Sequence, residues 1–171
     1  MEINVMRTAL IVFALGLLPG SVLAQQTAPA AQAPKTFVSS ADVTALIAKA
    51  RATRKPDQAN LAQPLLQLAP YTANLEYRAG VANGAVHEKE AEMFYVVEGA
   101  GTLVTGGKLT GETRTNAENL SGSGIEGGKS QRVAKGDFIM VPENTPHWFS
   151  AIEGSLTLMS IHLPRAGNPA R

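Results

Sequence analysis

The sequence predicts an all-β sandwich or barrel preceded by a single α-helix. From Leu65 onward the segments LLQLA, TANLEYR, EMFYVVEG, GTLVTG, QRVAKGDFIMVP, HWFSAI and SLTLMSIHLP are short and rich in Val, Tyr, Phe and Thr. Many of them alternate apolar and polar residues, as half-buried strands do. Gly, Pro and Asn punctuate them at close intervals, and the one stretch with helical spacing lies upstream. Many short strands with a single N-terminal helix indicate a closed or sandwiched β fold.

The elements follow in chain order. Residues 1–24 read as an export signal: Arg7 gives a positive start, Thr8 to Leu18 an apolar stretch too short to span a bilayer, and Val22-Leu23-Ala24 a cleavage site. An uncleaved anchor would need a longer run than one interrupted by Pro19 and Gly20. Export, most simply to a bacterial periplasm, is the expectation, with no membrane attachment after cleavage. Gln25 to Pro34 is Ala, Gln and Pro without apolar periodicity, so 25–36 reads as a flexible linker. The rest, 37–171, is one domain's worth of chain. Ser39 can cap a helix with Asp42 three residues on, and Val43, Leu46, Ile47 and Ala50 recur at helical spacing, which predicts a helix over 40–54. Arg51, Arg54 and Lys55 suit its C-terminal end. The Gly-, Ser-, Thr- and Asn-rich stretch 106–129 reads as one long hairpin loop.

Composition excludes some classes of function. The formal net charge is +1, and there is no cysteine to form disulfides or paired-cysteine metal sites. Nothing points to nucleic acid. No phosphate-binding glycine loop, nucleophile elbow or dinucleotide fingerprint is present.

Two segments carry the chemistry. VHEKEAEMFYVVEG (86–99) and GDFIMVPENTPHWF (136–149) hold two of the three histidines and Glu92 among residues that otherwise read as buried strand. A buried polar atom without a partner costs roughly 1–3 kcal/mol, so these groups need one. Side chains on a strand alternate, so His87 and Lys89 share a face, and a bulge or bend must bring Glu92 beside them. His147 comes from a distant strand after a Pro-x-x-x-Pro turn. Two neutral imidazoles and a carboxylate form a 2-His-1-carboxylate set that leaves coordination positions open on iron(II), manganese, zinc or nickel. The plain alternatives are a core histidine bonded to backbone for His87 and His147, and a surface carboxylate at a strand start for Glu92. His162 shares a face with Leu156, Leu158 and Ser160, so it is either a fourth ligand or an exposed strand-end residue. Lys89, Phe94 and Phe149 are candidates for a substrate pocket, Lys89 with a solvent-facing alternative and the aromatics with core packing as theirs. Tyr77, Tyr95 and Trp148 are further aromatics of the same region.

These segments resemble the two motifs of the cupin superfamily. The first family motif is Gly, five residues, His-x-His, three or four residues, Glu, six residues, Gly. Glu92, MFYVVE and Gly99 match its second half. Its histidine half matches at one position: with His87 as the second histidine, Ala85 replaces the first, and with His87 as the first, Lys89 replaces the second. The second motif is Gly, five residues, Pro, a short turn, His, three residues, Asn. Gly136, DFIMV, Pro142 and His147 fit, and Ala151 stands where the Asn would be. The resemblance, over roughly 65–163 with motifs at 80–99 and 136–149, implies an all-β jelly-roll (double-stranded β-helix) barrel, a single divalent transition metal and a homodimer. One superfamily hosts many chemistries, so three functions stay open. They are a metal-dependent enzyme of oxygenase or isomerase type acting on a small polar organic molecule, a non-catalytic binder of a small molecule or metal, and a degenerate scaffold for dimerisation.

Overall fold

The computed structural model describes residues 33–165. The export signal 1–24 and most of the linker lie outside the described residues. Helix α1 (Ser40–Thr53) begins with the predicted cap: the Asp42 amide donates to the Ser39 hydroxyl at 3.1 Å, and the Ser39 amide donates back to the Asp42 carboxylate at 3.0 Å. Arg54 then donates to the carbonyls of Lys55, Pro56 and Gln58 just beyond the helix end. Among the described residues no helix is long and apolar enough to cross a membrane.

Eleven strands follow: β1 (Asn60–Leu68), β2 (Tyr71–Arg78), β3 (Gly84–His87), β4 (Glu90–Thr105), β5 (Lys108–Thr110), β6 (Thr113–Arg114), β7 (Asn119–Gly122), β8 (Gly124–Glu126), β9 (Lys129–Ala134), β10 (Phe138–Val141) and β11 (His147–Pro164). All pairings are antiparallel. The main sheet runs β1-β2-β11-β3-β7-β6, β11 also pairs with β4, and β4 carries β9 and β10. The two longest strands, β4 and β11, pair along most of their length and organise a barrel of the jelly-roll kind.

Both long strands must bend for the sheet to close, and glycine sits where they do. Gly99 has φ +78°, and a Cβ there would meet the Ser155 carbonyl at 1.9 Å; one on Gly101 would meet the Ala151 carbonyl at 2.6 Å. The register between β4 and β11 shifts across the same region.

Alternation then divides the side chains into two cores. Inside the barrel Phe94, Val96, Leu103, Val133, Val141, Phe149, Leu156 and Leu158 pack together. On the outer face Ile47 of α1 packs with Leu65, Ala73 and Leu75, and Met159 and Ile161 lie against them. Leu156, Leu158, Ser160 and His162 therefore share the side of β11 opposite Met159 and Ile161.

The stretch 106–129 corrects the sequence reading. It is not one loop: β5 pairs with β8, β6 with β7, and β7 with β3. Strands of two to four residues are too short for period-two alternation to register, and their Gly, Ser and Asn content imitates a turn.

Candidate metal centre

The three histidines and Glu92 come together at one end of the barrel interior. Glu92 stands two residues into β4, and the bend required by the sequence is the break at Glu88-Lys89 between β3 and β4. His87 closes β3, His147 opens β11, and His162 lies near the far end of β11. Register explains the last placement, because His162 pairs with Glu92 across β11 and β4. The Pro142 to Pro146 turn is fastened to the first motif. Asn144, at φ 54°, donates its backbone N–H to the His87 carbonyl at 2.7 Å, so the strands bearing His87 and His147 are held at a fixed distance.

Glu92 is the hub and is 4 % exposed. Its Oε2 lies 3.0 Å from His147 Nε2 and 3.3 Å from His87 Nε2, and its Oε1 lies 3.5 Å from His162 Nε2. The fully buried Ser160 hydroxyl donates to Oε1 at 2.6 Å. Ligand atoms of His87, Glu92 and His162 all lie within 4.8 Å of one another, and His147 joins them through Glu92.

Each imidazole is tied by its other nitrogen to a group that can only accept. Nδ1 of His147 faces the Thr145 carbonyl at 3.1 Å, Nδ1 of His87 the Asn119 side-chain oxygen at 2.7 Å, and Nδ1 of His162 the Glu90 carboxylate at 3.1 Å. Nδ1 must then carry the proton in all three rings, and in the neutral ring Nε2 is left with a lone pair. Three lone pairs converge on a carboxylate, an arrangement that calls for a positive charge between them. Protons can supply it. Burial pulls the His87 imidazole down, but hydrogen bonding and charge from Glu92 outweigh it and raise the group above its ordinary value. Burial likewise pushes the Glu92 carboxyl up, and hydrogen bonds with His147 and His87 overcome this and hold it well below the usual carboxylate range. A divalent cation can take the place of those protons, and three imidazole nitrogens with one carboxylate are a donor set that suits zinc, iron, manganese or nickel.

The aromatic candidates form the floor. Phe94 and Phe149 are fully buried in the barrel core with ring centroids 5.5 Å apart, and Phe94 lies 6.0 Å from His147. They support the histidine from beneath. Lys89 follows its solvent-facing reading: it is exposed at the β3–β4 bend with Nζ 3.1 Å from Glu118, and it is not gathered with the histidines. Trp148 donates from its indole to the Ala82 carbonyl, Arg51 sits over the Tyr77 ring, and Tyr95 stacks on Phe138. Access is from the His87 and His162 side, whose side chains remain 18 % and 19 % exposed. Ion pairs from Arg114 to Glu88 and from Arg165 to Glu143 stand near this mouth, joined through backbone bonds to the β3–β4 bend.

Sequence reading missed Asn119, Ser160, Glu90 and Thr145 as contributors. Ser160 was legible as a face-mate of His162. Asn119 gave no signal, since it sits in the stretch read as loop.

The family model described as Cupin matches residues 45–168. No curated protein matches the chain. Among solved structures, the chain is similar to iron(II) HppE at 18 % identity over 64 % of this chain and 54 % of HppE, with a TM-score of 0.49. It is similar to KdgF from Halomonas sp. at 19 % identity over 66 % and 86 % of the two chains, TM-score 0.47. A Streptomyces PAC13 variant solved with uridine is 16 % identical over 65 % and 74 %, TM-score 0.46. Likenesses this distant carry no information on substrate.

Proposed function

Because this chain belongs to the cupin family, we propose that it holds one divalent transition-metal ion on His87, Glu92, His147 and His162 and is a metal-dependent enzyme acting on a small polar organic molecule. The observation that carries the reading is a shared arrangement: three imidazoles each with Nδ1 against an acceptor oxygen and Nε2 turned to one buried carboxylate. His162 supplies the imidazole for which the first motif has no residue. A degenerate scaffold gives no reason for this cluster, because burying Glu92 among lone pairs costs stability.

When bound, such an ion would supply Lewis acidity and could bind water or substrate beside its protein ligands. The chain's own residues do the rest. Ser160 fixes Glu92 by donating to Oε1, Phe94 and Phe149 keep water from beneath the site, and the exposed edges of His87 and His162 leave an approach for a small molecule. An oxygenase or isomerase type of reaction on a small polar molecule suits a metal that substrate can reach from this side.

Metal analysis of the purified protein tests the holding step: about one ion per chain, lost on His147→Ala, supports the reading, and a metal-free wild type ends it. Turnover or oxygen uptake by the loaded protein then separates an enzyme from a binder.

We also propose export to the periplasm, from the signal-like residues 1–24, and a homodimer. For the dimer the support is the outer sheet face that α1 does not cover. Phe138 and Met140 on edge strand β10 are 69 % and 54 % exposed, and they continue through Tyr95 and Met93 of β4 as an apolar surface.

A further inference from the structure

We propose that Asn119, from the β6–β7 hairpin between the two motifs, is a positioning residue that fixes the tautomer of His87 and so sets the affinity of the centre for metal. The inference rests on the metal reading above and deepens it.

The hydrogen-bond chain has a direction that cannot be reversed. The Glu118 backbone N–H donates to the Asn116 side-chain oxygen at 2.9 Å, which fixes which end of that amide faces inward. The Asn119 amide nitrogen donates to the same oxygen at 3.0 Å, so the Asn119 oxygen must face His87, 2.7 Å from Nδ1. A backbone group thus dictates, through two amides, that His87 carries its proton on Nδ1 and offers Nε2. The other two histidines take the same instruction from the Thr145 backbone carbonyl and the Glu90 carboxylate. His87 alone depends on a neutral side chain from another hairpin.

That hairpin is held in place on the β3–β4 bend. Arg114 makes a two-pronged pair with Glu88 at 2.8 and 2.9 Å, the Glu88 N–H donates to the Glu118 carbonyl at 2.9 Å, and β7 pairs with β3 so that Asn119 stands opposite His87. The hairpin tip is closed by the Thr115 N–H donating to the Asn119 carbonyl at 3.0 Å. The acceptor for His87 is therefore delivered by a rigid segment.

The test compares wild type, Asn119→Leu, which keeps approximate size and loses the acceptor, and Asn119→Asp, which keeps an acceptor. Nitrogen-15 NMR of histidine-labelled metal-free protein reads the ring tautomers, and competition with a chromophoric chelator reads zinc(II) affinity. The expected result is a Nδ1–H His87 in wild type, a mixture including the Nε2–H form in Asn119→Leu, a roughly 10- to 100-fold loss of zinc affinity in that variant, and recovery to within a few-fold of wild type in Asn119→Asp. An unchanged tautomer in Asn119→Leu overturns the proposal whatever the affinity, since packing alone would then explain any loss, as does a folded Asn119→Asp whose His87 is Nδ1–H yet whose zinc affinity matches the leucine variant, since the tautomer would then not set the affinity. A wild type that takes up no zinc defeats the metal reading instead, and the tautomer measurement still decides the role of Asn119.

Discussion

Replacing Glu92 with glutamine separates a carboxylate kept for a cation from one kept for the fold. In the metal-free protein with neutral imidazoles, Oε2 faces the Nε2 lone pairs of His147 and His87 at 3.0 and 3.3 Å, while Oε1 takes the Ser160 hydroxyl at 2.6 Å. A glutamine with its oxygen at the Oε1 position keeps the Ser160 bond. Its NH2, at the Oε2 position, has two hydrogens for the two lone pairs. Each net hydrogen bond contributes about 0.5–1.5 kcal/mol, so Glu92→Gln should stabilise the metal-free protein by about 1–3 kcal/mol. For a domain of this size that is a rise in melting temperature of about 3–10 °C. The same change removes the anionic ligand, leaves three imidazoles, and should markedly reduce stabilisation by added metal. Thermal melts with chelator and with zinc at pH 8 read both effects. A metal-free variant less stable than wild type, or one still stabilised by zinc to the wild-type extent, would refute the reasoning.

Other expectations follow from the same geometry. Zinc affinities of about 10–16 kcal/mol shared over four ligands put His162→Ala at about 3 kcal/mol, a hundredfold or greater loss in titration, whereas Lys89→Ala, paired with Glu118 at the exposed bend, should leave affinity within twofold or so. Stability of the metal-free protein should depend on pH in a fixed sense. The raised His87 contributes fully below its unfolded value of 6.5 and loses this as pH climbs through the folded value, while the lowered Glu92 contributes above 4.5 and loses this only on strong acidification. The cluster therefore favours the fold most between these values, and the extra melting temperature conferred by zinc should grow from pH 5.5 to 8.5; a constant increment would contradict it. Phe138→Ser with Met140→Ser should convert a dimer to a monomer in light scattering without loss of zinc binding, and an unchanged mass would remove the β10 face from consideration.

The parts of the fold carried by long alternating segments were legible in the chain. β4 and β11 were each read as two segments, EMFYVVEG with GTLVTG and HWFSAI with SLTLMSIHLP, because the glycines between them resemble breaks, and Ser39 and Asp42 marked the start of α1. The four short strands between 108 and 126 were not legible, because period two needs more than the two to four residues each offers. The centre divided the same way. His87, Glu92 and His147 stood out as polar groups inside apolar strands, and His162 was placed on the correct face of β11 with its role open. What decides that role is register, since His162 lies opposite Glu92 after three shifts between β4 and β11, the last between Thr157 and Leu158. Asn119 was invisible for a different reason. Its partner is 32 residues away, and only the β3–β7 pairing brings the two together. Lys89 faces solvent, as one of its two readings had it, because the chain breaks between β3 and β4 and the alternation along 87–89 does not continue.

X-ray absorption at the metal edge of the loaded protein tests the central claim most directly. The account predicts one ion per chain with three imidazole nitrogens and one carboxylate oxygen at about 2.0–2.2 Å, falling to two imidazoles in His162→Ala. A shell of water and carboxylate oxygen without imidazole scattering would contradict it.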